Sequence, residues 1–391
     1  MYRNTFVEVD TSVMQNNVKN IIKKYNEYEW YIGVVKGNAY GHGMEIVKYI
    51  TKAGINYLAV SSLEEAVEVR KYDKKTPVLC LEPIQTKYIN ECVKNNVTMT
   101  IHSYEYYKEL INLKLDDKIK VHLKLDTGMN RLGVTKEQEV TEIVKTLLGQ
   151  DNIELEGIYS HLGTTGVYDK EWDNQVSKFE KLTQGIDLNK IKIVHIARGI
   201  SIINHGKIKN TNGVRLGITM YGYTNSFLPN NKGLKNKLRN LKVEMLKKKL
   251  NISPTVVDNN PDVVPAFKLK SEVIQIKDVK KGECVGYGAM YRAPEDIKVA
   301  VLPIGYADGL DIRNTGRDIE INGNLYPIIG TVNMGMITVK VNEKVKVGDI
   351  ANIIGGKVDA KYIADYLKVT RYVLVTSVAK DIPRVYIKSE E

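Results

Sequence analysis

Between about residue 30 and residue 225, short runs of consecutive apolar residues alternate with stretches whose apolar positions recur at helical spacing. Tyr31–Lys36 (YIGVVK) reads as a buried strand, and after a glycine-rich turn Met44–Thr51 carries a helical pattern. Tyr57–Ser61, Pro77–Leu81, Val97–Ile101, Lys120–Asp126, Leu155–Ser160, Lys192–Ala197 and Val214–Thr219 bring the strand-like runs to eight. Each pair is separated by enough chain for a crossover helix. Eight strand–helix units in about 200 residues predict an α/β fold built on a closed (β/α)8 barrel of parallel strands. An open doubly wound sheet is the weaker alternative. The first turn, KGNAYGHG, is not GxGxxG and has no acidic partner at the usual spacing.

From Phe267 onwards the pattern changes. The runs Glu272–Ile276, Lys298–Pro303, Ile319–Ile321 and Met336–Val341 are joined by short Gly, Asp and Asn turns. They predict a smaller, mostly β domain, closed by a helix near Asp359–Leu367 and a last strand-like run at Val373–Thr376. The expected organisation is a barrel over residues 1–225, a basic insertion or linker over 226–264, and a mostly β C-terminal domain over 265–391. The first strand of the chain is free to join the last of these.

Composition narrows the class. Of 391 residues, 43% are hydrophobic and 26% charged, the balance of a globular protein with a sizeable core. No apolar run approaches a membrane span, and the N-terminal Met1–Phe6 lacks the apolar stretch of a signal peptide. Cys80, Cys92 and Cys284 form no CxxC pair, which argues against a disulfide scaffold or a Cys-ligated metal. A cytoplasmic protein without a metal site is expected.

The net charge of +11 is uneven. Residues 231–250 (NKGLKNKLRNLKVEMLKKKL) hold seven Lys and one Arg against one Glu, which leaves +4 for all other residues. Within them Leu234, Leu238, Leu241 and Met245 recur at spacings of four, three and four, one face of a helix. A basic amphipathic helix can bind anionic lipid, an acidic partner or nucleic acid. The favoured reading is a solvated insertion whose leucine face packs on its own domain; no nucleic-acid or membrane partner is expected. No aromatic residue in the segment offers a stacking platform for single strands.

In a (β/α)8 barrel, reactive groups gather at the C-terminal ends of the strands. Three polar positions qualify. Lys36 follows the all-apolar Ile32–Val35, and a lysine there stands either at a barrel mouth or, less favoured, buried without a partner; burial would lower its pKa and make its amine a usable nucleophile. In KVHLKLDTG, Val121, Leu123 and Leu125 alternate with His122, Lys124 and Asp126, so one strand face is polar. His161 ends a third apolar run, Tyr159-Ser-His161. Singly, each has an ordinary structural explanation: a solvated cap, a buried polar network, a satisfied core histidine.

Together and in chain order they resemble a family. Val35-Lys36-Gly-Asn-Ala-Tyr40-Gly-His42-Gly43 resembles the cofactor-lysine motif of the alanine racemases, whose lysine carries pyridoxal 5'-phosphate covalently. Lys124-Leu-Asp-Thr-Gly-Met-Asn-Arg131-Leu-Gly-Val134 and Gly213-Val-Arg215-Leu-Gly217-Ile218-Thr-Met-Tyr221-Gly222 are similar to the second and third signatures. Val285-Gly-Tyr287-Gly-Ala-Met-Tyr291 and Leu302-Pro-Ile-Gly-Tyr306-Ala-Asp-Gly309 are similar to the catalytic-tyrosine and site-mouth segments. Gly330-Thr-Val-Asn-Met334-Gly335 and Ile382-Pro-Arg384 complete the series. The resemblance covers about residues 5–225 and 265–386, and only the basic segment stands outside it.

The resemblance implies a racemase interconverting L- and D-alanine, a step towards peptidoglycan precursors, by two bases on opposite faces of the substrate. Lys36 would serve one face and Tyr287, from the partner subunit of a head-to-tail homodimer, the other. Lys36, Tyr40, His161, Arg215, Gly217, Ile218 and Lys380 would hold the cofactor, Lys380 or Arg198 replacing by charge the phosphate hydrogen bonds of family residues absent here. Arg131, Tyr306 and the backbone of Met334 would meet the substrate, and Lys124 aligns with a lysine often carbamylated in the family. An arginine facing the pyridine nitrogen can only donate, which discourages protonation there.

Three positions depart from the family pattern. Asn-Ser after His-x-Ala becomes Arg198-Gly199, which removes a phosphate-binding hydroxyl. A cavity tyrosine becomes Lys380, and Cys-Met-Asp becomes Asn333-Met334-Gly335. These changes leave open a racemase of another amino acid such as serine, or a non-catalytic pyridoxal-phosphate-binding paralogue. A related decarboxylase of basic amino acids is disfavoured by Arg215 and the Tyr287 motif.

Overall fold

The computed structural model describes residues 2–164, 170–224, 233–249 and 260–389. The chain divides into two compact units, one of Met14–Lys36 and Val47–Val264, the other of Met1–Val13, Gly37–Ile46 and Pro265–Glu391. The first strand, β1 (Thr5–Asp10), belongs to the second unit.

The first unit contains the predicted barrel. Its strands are β2 (Trp30–Val34), β3 (Tyr57–Val60), β4 (Val78–Cys80), β5 (Val97–Ile101), β6 (Ile119–Lys124), β7 (Ile153–Tyr159), β8 (Ile193–Arg198) and β9 (Gly213–Leu216). They pair in chain order, all parallel, and β9 returns to β2 to close the ring. Strands buried on both faces explain the continuous apolar runs in the sequence. The helices between them are amphipathic. The helix Glu137–Leu148 buries Val140, Ile143, Val144 and Leu147, one stripe at helical spacing. Ser62 and Ser103 cap the N-termini of two others by accepting from the backbone N–H groups of Glu65 and Tyr106.

The second unit is built on a nine-stranded sheet and a two-stranded ribbon. Its further strands are β10 (Phe267–Glu272), β11 (Gln275–Val279), β12 (Cys284–Val285), β13 (Tyr291–Arg292), β14 (Ile297–Leu302), β15 (Asp318–Ile321), β16 (Asn324–Ile329), β17 (Ile337–Val341), β18 (Ile350–Ile354) and β19 (Arg384–Ile387). The large sheet runs β11-β14-β17-β16-β15-β18-β10-β1-β19, and β12 pairs with β13. β1 lies antiparallel to β10 and parallel to β19.

Three expectations change here. The run Glu272–Ile276 is the corner between β10 and β11, not one strand. Val373–Thr376 is helical, within Arg371–Thr376, where Leu374 and Val375 are buried and Val373 is exposed. Tertiary packing there overrides the β-branched composition. The basic segment is described over 233–249 and forms the helix Leu234–Lys249, but among the described residues its leucine face is not buried against its own domain. Leu234, Leu238, Leu241 and Met245 are all exposed.

The turn after Lys36 has a conformation the sequence only hinted at. Gly37, Asn38, Ala39 and Tyr40 are successively left-handed, with φ between 51° and 63°. Non-glycine residues in this region cost roughly 1–2 kcal/mol each, so the surrounding unit must hold the turn in place. It does so through close contacts. Arg384 Nε donates to the Gly41 carbonyl at 3.0 Å, and the Tyr386 hydroxyl donates to the His42 carbonyl at 3.1 Å. Gly41 sits at φ 81°, and a Cβ there would lie 1.8 Å from the Val375 carbonyl oxygen. Gly41→Ala should therefore destabilise the protein by about 3 kcal/mol or more, read as a lowered thermal midpoint; an unchanged midpoint would refute this account of the turn.

Candidate active site

The C-terminal ends of the barrel strands collect basic groups. Lys36 follows β2, Lys124 ends β6, His161 lies just past β7, Arg198 ends β8, and Arg215 lies within β9. Arg215 is buried and held entirely by donation. Nη1 reaches His195 Nδ1 at 2.5 Å and the His195 carbonyl at 3.1 Å. Nη2 reaches the carbonyls of Ser160 (2.7 Å) and Ile196 (2.9 Å) and His161 Nδ1 (3.3 Å). Burial pulls the guanidinium down to about 10, which still leaves it charged at neutral pH. Its Cζ lies 5.4 Å from the centre of the Tyr159 ring, and Lys124 Nζ lies 5.5 Å from the same centre.

Behind Arg215 a buried polar relay crosses the barrel. His195 Nε2 is 3.0 Å from His122 Nδ1, and His122 Nε2 faces Glu156 Oε2 across a longer polar contact of 3.5 Å. A guanidinium has no acceptor, so His195 must accept at Nδ1 and donate from Nε2. His122 must then accept at Nδ1 and turn its own Nε2–H to the carboxylate. The direction of the whole chain is fixed at its arginine end. Glu156 is well supplied with donors: the Tyr57 hydroxyl at 2.6 Å, the Thr98 hydroxyl at 3.2 Å and Lys192 Nζ at 2.9 Å. Burial works against its charge, but His122, Tyr57 and Lys192 hold its carboxyl far below the usual range. Burial first, and then the neighbouring Arg215, push His195 and His161 well below an ordinary histidine. Both rings are neutral at neutral pH.

The loop that carries Arg131 is built by Asp126. Oδ1 accepts from the backbone N–H of Gly128 (2.9 Å) and Asn130 (3.0 Å), and Oδ2 from Arg131 (2.8 Å). Burial opposes ionisation of Asp126, but these three bonds outweigh it and lower its pKa. Gly133 closes the loop, because a Cβ there would lie 2.4 Å from the Asp126 nitrogen. Lys124 is brought down to about 8, by burial first and then by the charges of Arg131, Arg215 and Lys36. A large share of it is thus an uncharged amine at mildly alkaline pH.

The first unit therefore contains Lys36, Lys124, Arg131, His161, Arg215, Gly217 and Ile218 of the predicted residues. Tyr40, Tyr287, Tyr306, Met334 and Lys380 belong to the second. There the tyrosine loops share one region. A Cβ at Gly330 would lie 2.8 Å from the Val285 carbonyl, and Tyr306 and Ala307 donate to the carbonyls of Asn333 (3.0 Å) and Met334 (2.9 Å). Tyr287 sits between Gly286 (φ 76°) and Gly288 (φ 70°), which turns its side chain outward, and it is 75% exposed. The residues the sequence reading missed are His195, Glu156 and Gly157. A Cβ at Gly157 would lie 2.6–2.8 Å from the His122 ring. The signal was present as a carboxylate and a glycine side by side inside an apolar strand.

Among the described residues, no cluster of His, Cys, Asp and Glu could hold a metal ion. The donors are instead cations and backbone N–H groups, which suit a phosphorylated, carboxylate-bearing ligand. Fold and site define a barrel protein with a second, mostly β unit, whose strand ends gather cations beside a lysine amine. Comparison makes this specific. Residues 9–225 match the family model "Alanine racemase, N-terminal domain", and residues 266–386 match "Alanine racemase, C-terminal domain". The chain belongs to the alanine racemase family and is an isomerase.

Alanine racemase of Methanococcus maripaludis is 32% identical over 98% of both chains. Alanine racemase 2 of Caldanaerobacter subterraneus subsp. tengcongensis is 33% identical over 98% of this chain and 95% of its own. The crystal structure of the Bacillus anthracis alanine racemase with bound L-Ala-P is 30% identical, with a TM-score of 0.85 over 99% of this chain and 96% of that one. A histidine racemase from Leuconostoc mesenteroides subsp. sake, 24% identical with a TM-score of 0.82 over 99% of each chain, shares the fold.

Glu156→Gln should cost about 3 kcal/mol at pH 7, because it strips the counter-charge from a buried network. The pKa of Glu156 is depressed, so its stabilisation is complete above its unfolded value near 4.5 and is lost as pH falls through the folded value. The parent–variant difference in denaturant unfolding should therefore hold steady down to about pH 4.5 and shrink below it. Both proteins should lose stability earlier, below about pH 6.5, as the unfolded chain protonates histidines that the fold keeps neutral. A difference that grew with acid would contradict the relay.

Proposed function

We propose that this chain interconverts L- and D-alanine with pyridoxal 5'-phosphate as cofactor, in a head-to-tail homodimer. The observation that carries the reading is the buried, donor-only Arg215 beside Lys36 and Lys124 at the barrel mouth, backed by neutral imidazoles and, among the described residues, bonded to no carboxylate. Bound there, pyridoxal phosphate would supply a carbonyl that takes amines covalently and a conjugated ring that spreads the charge left by a departing α-proton. Lys36 would hold the cofactor through its ε-amine and, once released, carry the α-proton on one face. Arg215 would direct its remaining donor capacity at the ring nitrogen and keep a proton off it, because His195 and two backbone carbonyls fix its plane.

Tyr287 of a second copy would serve the opposite face. Its exposure, with that of Met290, Tyr306, Met334 and Met336, gives the second unit an uncovered apolar and aromatic surface suited to a partner subunit. Arg131 would pair with the substrate carboxylate. A carboxylate only accepts, so the backbone group of Met334 that would meet it is the N–H; the Met334 carbonyl accepts from the Ala307 N–H. Lys124, part neutral near pH 8, is suited to take up carbon dioxide as a carbamate that would brace Arg131. One observation favours a bulkier substrate such as serine: a Cβ at Gly335 would meet nothing within 4 Å, so the wall beside Met334 is open.

Loss of optical activity across a panel of L-amino acids tests the reading, with alanine expected to turn over fastest. Lys36→Ala should abolish the covalently held cofactor seen by intact mass after borohydride reduction. Tyr287→Phe should slow conversion of one enantiomer far more than cofactor loading. A folded, cofactor-supplemented chain that neither binds pyridoxal phosphate nor racemises any amino acid would overturn the proposal.

A further inference from the structure

Gly199 is the position at which the family's phosphate-binding hydroxyl is missing, and the structure shows what occupies its place. The residue follows β8 and opens the helix Gly199–His205. A Cβ built on it would lie 2.5 Å from Thr219 Oγ1 and 2.8 Å from Thr219 Cβ, closer than real Cβ atoms approach. A side chain at 199 and the threonine at 219 therefore compete for one volume. In this chain the glycine yields it to the threonine. Thr219 is buried, and among the described residues no hydrogen bond involves its hydroxyl. The nearby Ser201 hydroxyl cannot stand in, since it donates to the Arg198 carbonyl and accepts from the Arg198 N–H, both at 2.8 Å. Thr219 also follows directly on Gly217 and Ile218, the two residues whose backbone N–H groups would hold the phosphate.

We infer that Thr219 Oγ1 donates the side-chain hydrogen bond to the cofactor phosphate in this chain, and that Gly199 is the paired change that admits it. The phosphate contact has moved from one barrel strand end to the next and has not been lost. This rests on the pyridoxal-phosphate reading above. It adds a cofactor-binding residue, and it counts against the view that the departure at 199 marks a drifted, non-catalytic pocket.

The test measures dissociation constants of the reconstituted protein for pyridoxal 5'-phosphate and for pyridoxal, which lacks the phosphate. Thr219→Val keeps the shape and removes the hydroxyl. It should weaken pyridoxal phosphate about ten-fold or more, the scale of a hydrogen bond to a charged acceptor, and leave pyridoxal unchanged. Thr219→Ser should bind both like the parent, and the exchange Gly199→Ser with Thr219→Ala should recover most of the affinity. The ³¹P resonance of the bound phosphate should shift in Thr219→Val and not in Thr219→Ser. Parent-like affinity for pyridoxal phosphate in Thr219→Val, or an equal loss for both ligands, would overturn the inference while the cofactor reading stood. A parent that binds neither ligand would remove both.

Discussion

A guanidinium taken out of water is among the most expensive groups a protein can bury, and among the described residues Arg215 is buried with no carboxylate bonded to it. The usual compensation is an ion pair, yet every acceptor around Arg215 is a carbonyl or a neutral imidazole nitrogen. The nearest answering negative charge on the relay is Glu156, two histidine rings away. Because arginine only donates, each ring between them is obliged to pass polarity in one direction. The site thus has a cation whose charge is answered at a distance while its inner surroundings stay neutral. That arrangement suits a group meant to face a neutral ring nitrogen, since an adjacent carboxylate would cancel its field.

Much of the local architecture serves this constraint. Gly157 lacks a side chain because the His122 ring occupies that space. The Tyr159 ring stacks on His195 with centroids 4.8 Å apart and planes 3° from parallel, which fixes the imidazole that Arg215 needs as acceptor. The same tyrosine presents its face to Arg215 and Lys124, so one aromatic surface steadies both cations. Glu156 in turn is kept ionised by Tyr57, Thr98 and Lys192, residues from three different strands or their approaches. Removal of any of these would act on the arginine through its neighbours and not by touching it.

The barrel was legible because parallel strands buried on both faces write themselves as uninterrupted apolar runs, and all eight such runs became strands. Lys36, Lys124 and His161 were legible because each breaks such a run at its C-terminal end. Glu156 was not, because a carboxylate inside a strand is read as a surface position until three-dimensional pairing supplies its donors. The left-handed course of Gly37–Tyr40 was hidden for a related reason. Asn38 and Ala39 adopt it in a turn whose next residues, Gly41 and His42, are held by Arg384 and Tyr386 from over 340 positions away. Val373–Thr376 reads as a strand for its β-branched residues, and becomes a helix because Leu374 and Val375 must be buried together. The leucine stripe of the basic helix shows the opposite limit. Periodicity establishes that a face exists, but not that anything covers it.

Motif departures need the same spatial reading. Compared position by position, Arg198-Gly199 has lost a hydroxyl, and a count of matched motif residues would mark the pocket as impaired. Viewed in space, the absent side chain and Thr219 fill one volume from two strand ends, so the loss at one position is the condition for the gain at the other. The change at Gly335 has no such counterpart, because nothing lies within 4 Å of where its side chain would begin. The two glycines therefore carry different meanings. Gly199 makes room for Thr219, so under the proposal it would be a rearrangement around the phosphate, whereas Gly335 leaves open space beside the backbone proposed to meet the substrate. On the proposed assignment, cofactor binding and substrate choice would diverge in this chain, the first retained through Thr219 and the second free to differ from its relatives.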